Sequence, residues 1–295
     1  MAKIAAELED ALAKRAVEGT TEHMTARVLA DGSQWSVSDV VCTAGPQNRP
    51  FEERRPDVFI AVVVAGSFQY HSAGTCDLLT PGSLMLGNAD QCFECRHEYG
   101  TGDRCLSFAY APQYFERLAT AAGVSGRTLN FRVLRLPPLR VLSPLVARAC
   151  AALASAPGMH WEELSVQVAT QSLQLVHSLA PEPRRVSRSA QAGVAAAVRT
   201  IERHPDTGLT LGRLAEEAEL SPYHFLRTFE RVTGVTPHQY VLRTRLRNAA
   251  MRLSAGSARV LDIAFDCGFS DVSNFNHAFR REFGVSPRVY QTRPA

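Results

Sequence analysis

The sequence predicts a two-domain α+β chain: an N-terminal all-β domain with flanking helices, then a C-terminal all-α domain of two helix-turn-helix units. Three observations predict it. One helical pattern occurs twice, at 214–240 and again at 263–290. Residues 25 to about 110 run with a period of two, in short stretches separated by Gly, Pro, Asn and Asp. A polar stretch with two prolines and three arginines, Pro181-Glu182-Pro183-Arg184-Arg185-Val186-Ser187-Arg188-Ser189, divides the two regimes. The expected domains are therefore 1–180 and 191–295, with a linker at 181–190.

In chain order, Ile4, Leu8, Leu12 and Ala16 fall on one face of a short helix over 4–17. The β-type runs follow, and 58–65 is almost uninterrupted apolar, as expected of a central strand. Closely spaced short strands predict a sandwich or barrel, which 131–136 is expected to close. Helices are expected at 112–122, 139–155 and 161–179. The last carries an apolar stripe of Leu164, Val168, Leu175, Val176 and Leu179, interrupted by Ser172.

The C-terminal region opens with a helix over 191–204, and Thr210 caps the next. In the first copy Leu214-Ala215 face inward, Ser221 caps, and Pro222 takes the first helical position, where its missing N–H costs nothing. Phe225, Phe229 and Val232 follow at helical spacing, and Gly234 ends the helix. The second copy repeats this with Ile263-Ala264 and Ser270 at an offset of 49, then Phe275, Phe279, Gly284, Pro287 and Tyr290 at an offset of 50. An arginine-rich helix over 237–253 joins the copies.

These residues resemble the DNA-binding domain of the AraC/XylS family of bacterial transcription regulators. The most diagnostic stretch is Asp262-Ile263-Ala264, Gly268-Phe269-Ser270-Asp271, Phe275, Phe279, Phe283-Gly284-Val285, Ser286-Pro287 and Tyr290. The N-terminal region resembles that family's cupin-like barrel more weakly, through Leu79-Thr80-Pro81-Gly82-Ser83-Leu84. The resemblance implies a sequence-specific regulator, commonly an activator. It implies double-stranded DNA, RNA polymerase and a small-molecule effector as partners, and a homodimer formed through the N-terminal part.

In each unit the second helix is the one that enters the major groove. On the reading helix over 222–232 the exposed early face is Tyr223, Leu226 and Arg227. Arginine suits guanine O6/N7, and leucine reaches only a thymine methyl or sugar. On 271–283 the candidates are Ser273, Asn274 and His277, with Asn274 suited to adenine. His277 departs from the family pattern, which usually has arginine there. Of Arg243, Arg245, Arg247 and Arg252 on 237–253, some are expected to hold the two repeats in register by packing or ion pairs. Others, Arg243 among the candidates, are expected to touch phosphate, which positions without specifying. Two successive major-groove segments, about one turn or 34 Å apart, give an expected half-site of roughly 16–20 bp.

Composition fits this division. From residue 181 onward there are 17 arginines against 11 acidic residues, whereas 1–180 holds 15 basic and 18 acidic residues. Seven cysteines, an odd number without compact spacing, argue against a paired secreted framework. No apolar run is long enough to span a bilayer, and the expected location is cytoplasmic. Cys92, Cys95, His97 and Cys105 lie close in sequence, as a metal or thiol-sensing set would. Cys92 and Cys95 sit an odd number apart on a strand, so they face opposite ways, and no metal or other cofactor is expected. A metal-dependent cupin enzyme fused to a DNA-binding domain is the rival. It needs a histidine-rich ligand pattern missing from 58–110, and no catalytic residues are expected.

Overall fold

The computed structural model describes residues 2–18, 23–50, 52–124, 130–154, 160–176, 186–256 and 258–292. These fall into two compact units. One is built from 2–137 and 160–184, the other from 138–159 and 185–295.

The first unit opens with α1 (Ala2–Glu18), then β1 (Met24–Asp31), β2 (Trp35–Cys42), β3 (Glu52–Arg54), β4 (Val58–Gly66), β5 (Phe68–Ser72), β6 (Thr75–Leu79), β7 (Leu84–Gly87), β8 (Cys92–Arg96) and β9 (Asp103–Tyr110). α2 (Pro112–Ala121) and β10 (Arg135–Leu136) follow. A six-stranded sheet runs β1-β2-β9-β4-β7-β10 and a four-stranded sheet runs β3-β8-β5-β6. β4 is central, as its unbroken apolar run requires, pairing antiparallel with both β9 and β7.

Neither sheet closes on itself, so the cupin-like barrel expected of this region is not formed. Two open sheets share one core instead, with Phe59, Ala61 and Val63 of β4 against Phe68 and Tyr70 of β5 and Phe93 of β8. The closing strand expected at 131–136 shortens to β10, which pairs only with β7 and ends the larger sheet. Alternating apolar residues bury one face in a sandwich and in a barrel alike, so the pattern carries no information on closure.

α1 is held to this unit by charge. Arg104 of β9, 1% exposed, makes 2.9 Å bonds to both carboxylate oxygens of Asp39 and also pairs with Glu7. A buried guanidinium is tolerable only when neutralised in this way. Arg15 bonds Thr43 and Asn48 on the loop after β2.

α3 (Ser143–Ala154) opens the helical unit, after a 3-10 turn at Arg140–Leu142. α4 (Trp161–Val176) belongs to the β unit, where the Tyr110 hydroxyl donates to the Ser165 carbonyl at 2.8 Å and Ser172 is fully buried. Leu179 and the first part of the expected linker, 181–185, lie outside the described residues. The rest of that stretch is not all tether, because Ser187 caps α5 (Arg188–Arg203). The remaining elements are α6 (Leu211–Glu217), α7 (Pro222–Thr233), α8 (Pro237–Ser254), α9 (Val260–Asp266), α10 (Val272–Phe283) and α11 (Pro287–Gln291).

The placement of α3 differs from the expected division at residue 180. Its Ala147 lies in the core formed by Leu246, Ala249 and Leu253 of α8 with Phe275 and Phe279 of α10. An apolar stripe shows that a helix is buried, but not against what. No helix of the described residues is long and apolar enough to cross a membrane.

Candidate nucleic-acid interface

α6–turn–α7 and α9–turn–α10 are the two helix-turn-helix units. Caps set where each second helix begins. The Ser221 hydroxyl accepts from the His224 N–H. Asp271 caps α10 with both oxygens, accepting from Ser273 at 2.9 Å and Asn274 at 3.0 Å, in place of the serine expected at 270. The one-residue difference between the repeats is thus a shift of cap. Gly234 and Gly284 end both helices in the left-handed conformation. Thr236 and Gln239 form a reciprocal capping box that starts α8.

Buried aromatics fix the rotation of each second helix. Phe225 packs at a tilt against Phe229, and Phe229 meets Tyr240 of α8 edge-on. Phe275 packs between Phe269 and Phe279, and Phe279 meets Tyr290 edge-on. All four paired phenylalanines are 0% exposed, so the opposite helix faces must be solvated.

Those opposite faces hold most of the residues singled out from sequence. Tyr223 and Arg227 are exposed and Leu226 is half-buried. The Arg227 guanidinium donates to the Tyr223 hydroxyl at 3.0 Å and lies over its ring, which extends it along the helix face. Ser273, Asn274 and His277 are exposed on α10. Arg280, exposed one turn beyond Asn276 and His277, lines a surface hollow with both of them and with Arg288. Sequence reading passed over Arg280 and Arg288. Their signal was the i, i+3 and i, i+4 spacing of Arg280 from His277 and Asn276.

Arg243 of α8 is half-buried. Its guanidinium donates to the Pro138 carbonyl at 2.9 Å and lies 3.4 Å from Glu282, and burial weakens its hold on its proton. Protein groups already hold it. The other arginines of α8 are similarly engaged: Arg245 with the Pro205 and Thr207 carbonyls, Arg247 with Glu202, Arg252 with Asp266. This helix is pinned to α5, α9 and α10 rather than carrying a row of free cations.

The cysteine cluster also resolves differently. Cys92 is exposed and is not among the residues lining the cavity that Cys95 lines. Cys95, His97 and Cys105 all line one cavity of the β unit. Burial, reinforced by Asp103, pushes both thiols well above the ordinary cysteine value, so they are poor nucleophiles. The sequence did not place Cys42 and Asp103 in this group.

Residues 214–293 match the family described as a helix-turn-helix domain. The chain is similar to the probable transcriptional regulator LumQ of Photobacterium leiognathi, 40% identical over 91 residues, which cover 31% of this chain and 37% of that protein. It is similar to the HTH-type transcriptional activator RhaS of Escherichia coli, 42% identical over 88 residues, 30% of this chain and 32% of that protein. Among solved structures, an AraC-type DNA-binding-domain regulator from Chromobacterium violaceum is 26% identical, covering 37% of this chain and 100% of that one, with a TM-score of 0.34. The chain spans about a third of the length of these curated relatives.

Proposed function

We propose that this chain is a sequence-specific DNA-binding transcription regulator of the AraC/XylS type, acting as an activator and not as an enzyme. The observation that carries the reading is the repeat of one arrangement in α7 and α10. Each is capped at its start and locked in rotation by two buried phenylalanines, and each turns polar or cationic residues outward at its early positions. In this reading Tyr223, Leu226 and Arg227 address one major-groove segment, and Ser273, Asn274 and His277 the next. Arg280 supplies a guanidinium to the same face as His277.

The β unit is the sensing part, answering a small-molecule effector. Two copies join through the N-terminal part so that two half-sites are occupied, and RNA polymerase is the downstream partner. The sequence preference of the full-length protein tests the reading. It should select a recurring motif of roughly 16–20 bp per half-site from random duplex DNA, with affinity falling as salt rises. Binding without any recurring motif, at a stated salt concentration, would overturn it.

A further inference from the structure

We propose that Cys42, His97 and Asp103 form a binding site for a zinc-class divalent cation in the β unit, with the fourth coordination position facing a small cavity. The inference stands apart from the DNA-binding reading and concerns the β unit alone.

Backbone register builds the site. Cys42, last residue of β2, is the direct cross-strand partner of Asp103, first residue of β9. Two glycines allow this approach. A side chain on Gly66 (φ +75°) would come within 2.3 Å of the Gly102 carbonyl, and one on Gly102 (φ +70°) within 2.8 Å of the Cys42 carbonyl. His97, just past β8, brings its ring in from the second sheet, with Nε2 at 2.6 Å from Asp103 Oδ1.

One ligand atom from each residue lies within 4.8 Å of the other two, and the three residues are 7%, 5% and 5% exposed. A tetrahedron with bonds of about 2.1 Å has edges of about 3.4 Å. A bound ion would draw the three ligand atoms to that spacing, the His97–Asp103 contact opening from 2.6 Å. The Cys105 thiol donates to Asp103 Oδ2 at 3.3 Å and orients the carboxylate from behind. Such outer-shell bonds hold metal ligands in place.

Ligand chemistry and space select the cation. One thiolate, one imidazole and one carboxylate suit zinc, whereas calcium and magnesium take sets of oxygens. Two anionic ligands neutralise a divalent ion, so the buried site carries no net charge. The cavity measures about 60 Å³. Organic ligand pockets run from about 300 to 1,000 Å³, and a water needs roughly 10–15 Å³. An ion with a few waters fits this space.

Cobalt titration of the full-length, chelator-treated protein tests the site. One Co²⁺ per chain should bind, with a near-ultraviolet thiolate-to-cobalt band and intense tetrahedral d–d bands, both bleached by Zn²⁺. Cys42→Ser should abolish the thiolate band, while Cys105→Ser and Cys92→Ser keep it. Asp103→Asn should weaken binding at least tenfold. Loss of the band in Cys105→Ser with retention in Cys42→Ser would overturn the assignment, as would wild-type protein with no thiolate band. If Cys42→Ser does not fold, X-ray absorption on the zinc-loaded wild type decides. One sulfur neighbour at about 2.3 Å supports the site, and its absence refutes it.

Discussion

Glu219 and Gly268 occupy the same left-handed turn position in the two helix-turn-helix units, at φ +54° and +84°. The pair shares the offset of 49 seen at Leu214 and Ile263. Glutamate bears a Cβ clash there that glycine avoids. Glu219→Gly should therefore stabilise the helical unit by about 0.5–1 kcal/mol, after the larger chain entropy of glycine is subtracted. Gly268→Ala should cost more than about 2 kcal/mol, because its Cβ would also lie 2.6 Å from the Asp206 Cα. Thermal unfolding of both variants checks the two signs.

Arg227 and Arg243 should separate recognition from stability. Arg227→Ala should cost about 1–3 kcal/mol on the selected DNA site, far less on random duplex, and leave the melting temperature in place. Arg243→Ala leaves Glu282, 9% exposed, with the Ser143 hydroxyl but without its cation, and should cost about 2–4 kcal/mol of stability. The ratio of specific to non-specific Kd should hardly change in Arg243→Ala. Unfolding curves beside binding at two salt concentrations distinguish the two residues.

Asp39 should give the β unit part of its acid sensitivity. Burial works to raise its carboxyl pKa, but the bonds and charges of Arg104 and Arg27 outweigh this and hold it below the ordinary value. A lowered folded-state value stabilises above the unfolded pKa of about 3.9, and this is lost as pH falls through the folded value. Asp39→Asn should therefore destabilise at neutral pH, and the gap to wild type should narrow below about pH 4. Chemical unfolding at pH 7 and pH 3 reads that difference.

Ala147 of α3 should matter to DNA binding despite lying far from the reading helices in sequence. It is 1% exposed in the core that positions α10. Ala147→Asp places a charge there and should cost about 3 kcal/mol or more, weakening specific binding through loss of folded protein. Ala147→Ser should fall between it and wild type. Circular dichroism with a binding titration checks the order.

Local signals in the sequence located what local chemistry decides. Ser221, Gly234, Thr236, Gly284 and the four buried phenylalanines were legible because caps and helical stripes act within a few residues. Contacts made far along the chain were not. Cys42 and Asp103 are 61 positions apart, and only the pairing of β2 with β9 brings them together. The Arg243–Glu282 pair was not legible either, because arginines on a linking helix carry no mark of the carboxylate beside them. The two open sheets looked like one barrel because inward alternation is common to both.

The path of the chain carries a consequence for how this protein can be taken apart. It passes from one unit to the other after 137, returns after 159, and crosses again near 184. No single cut therefore releases an intact helical unit. A fragment starting near 183 leaves α3 behind and bares the α8 and α10 side chains that Ala147 covers. Grafting the last hundred residues onto a foreign partner would carry over the reading helices without their underlay. A working chimera would need a short piece from the middle of the gene stitched back in, much as an interrupted word needs both syllables.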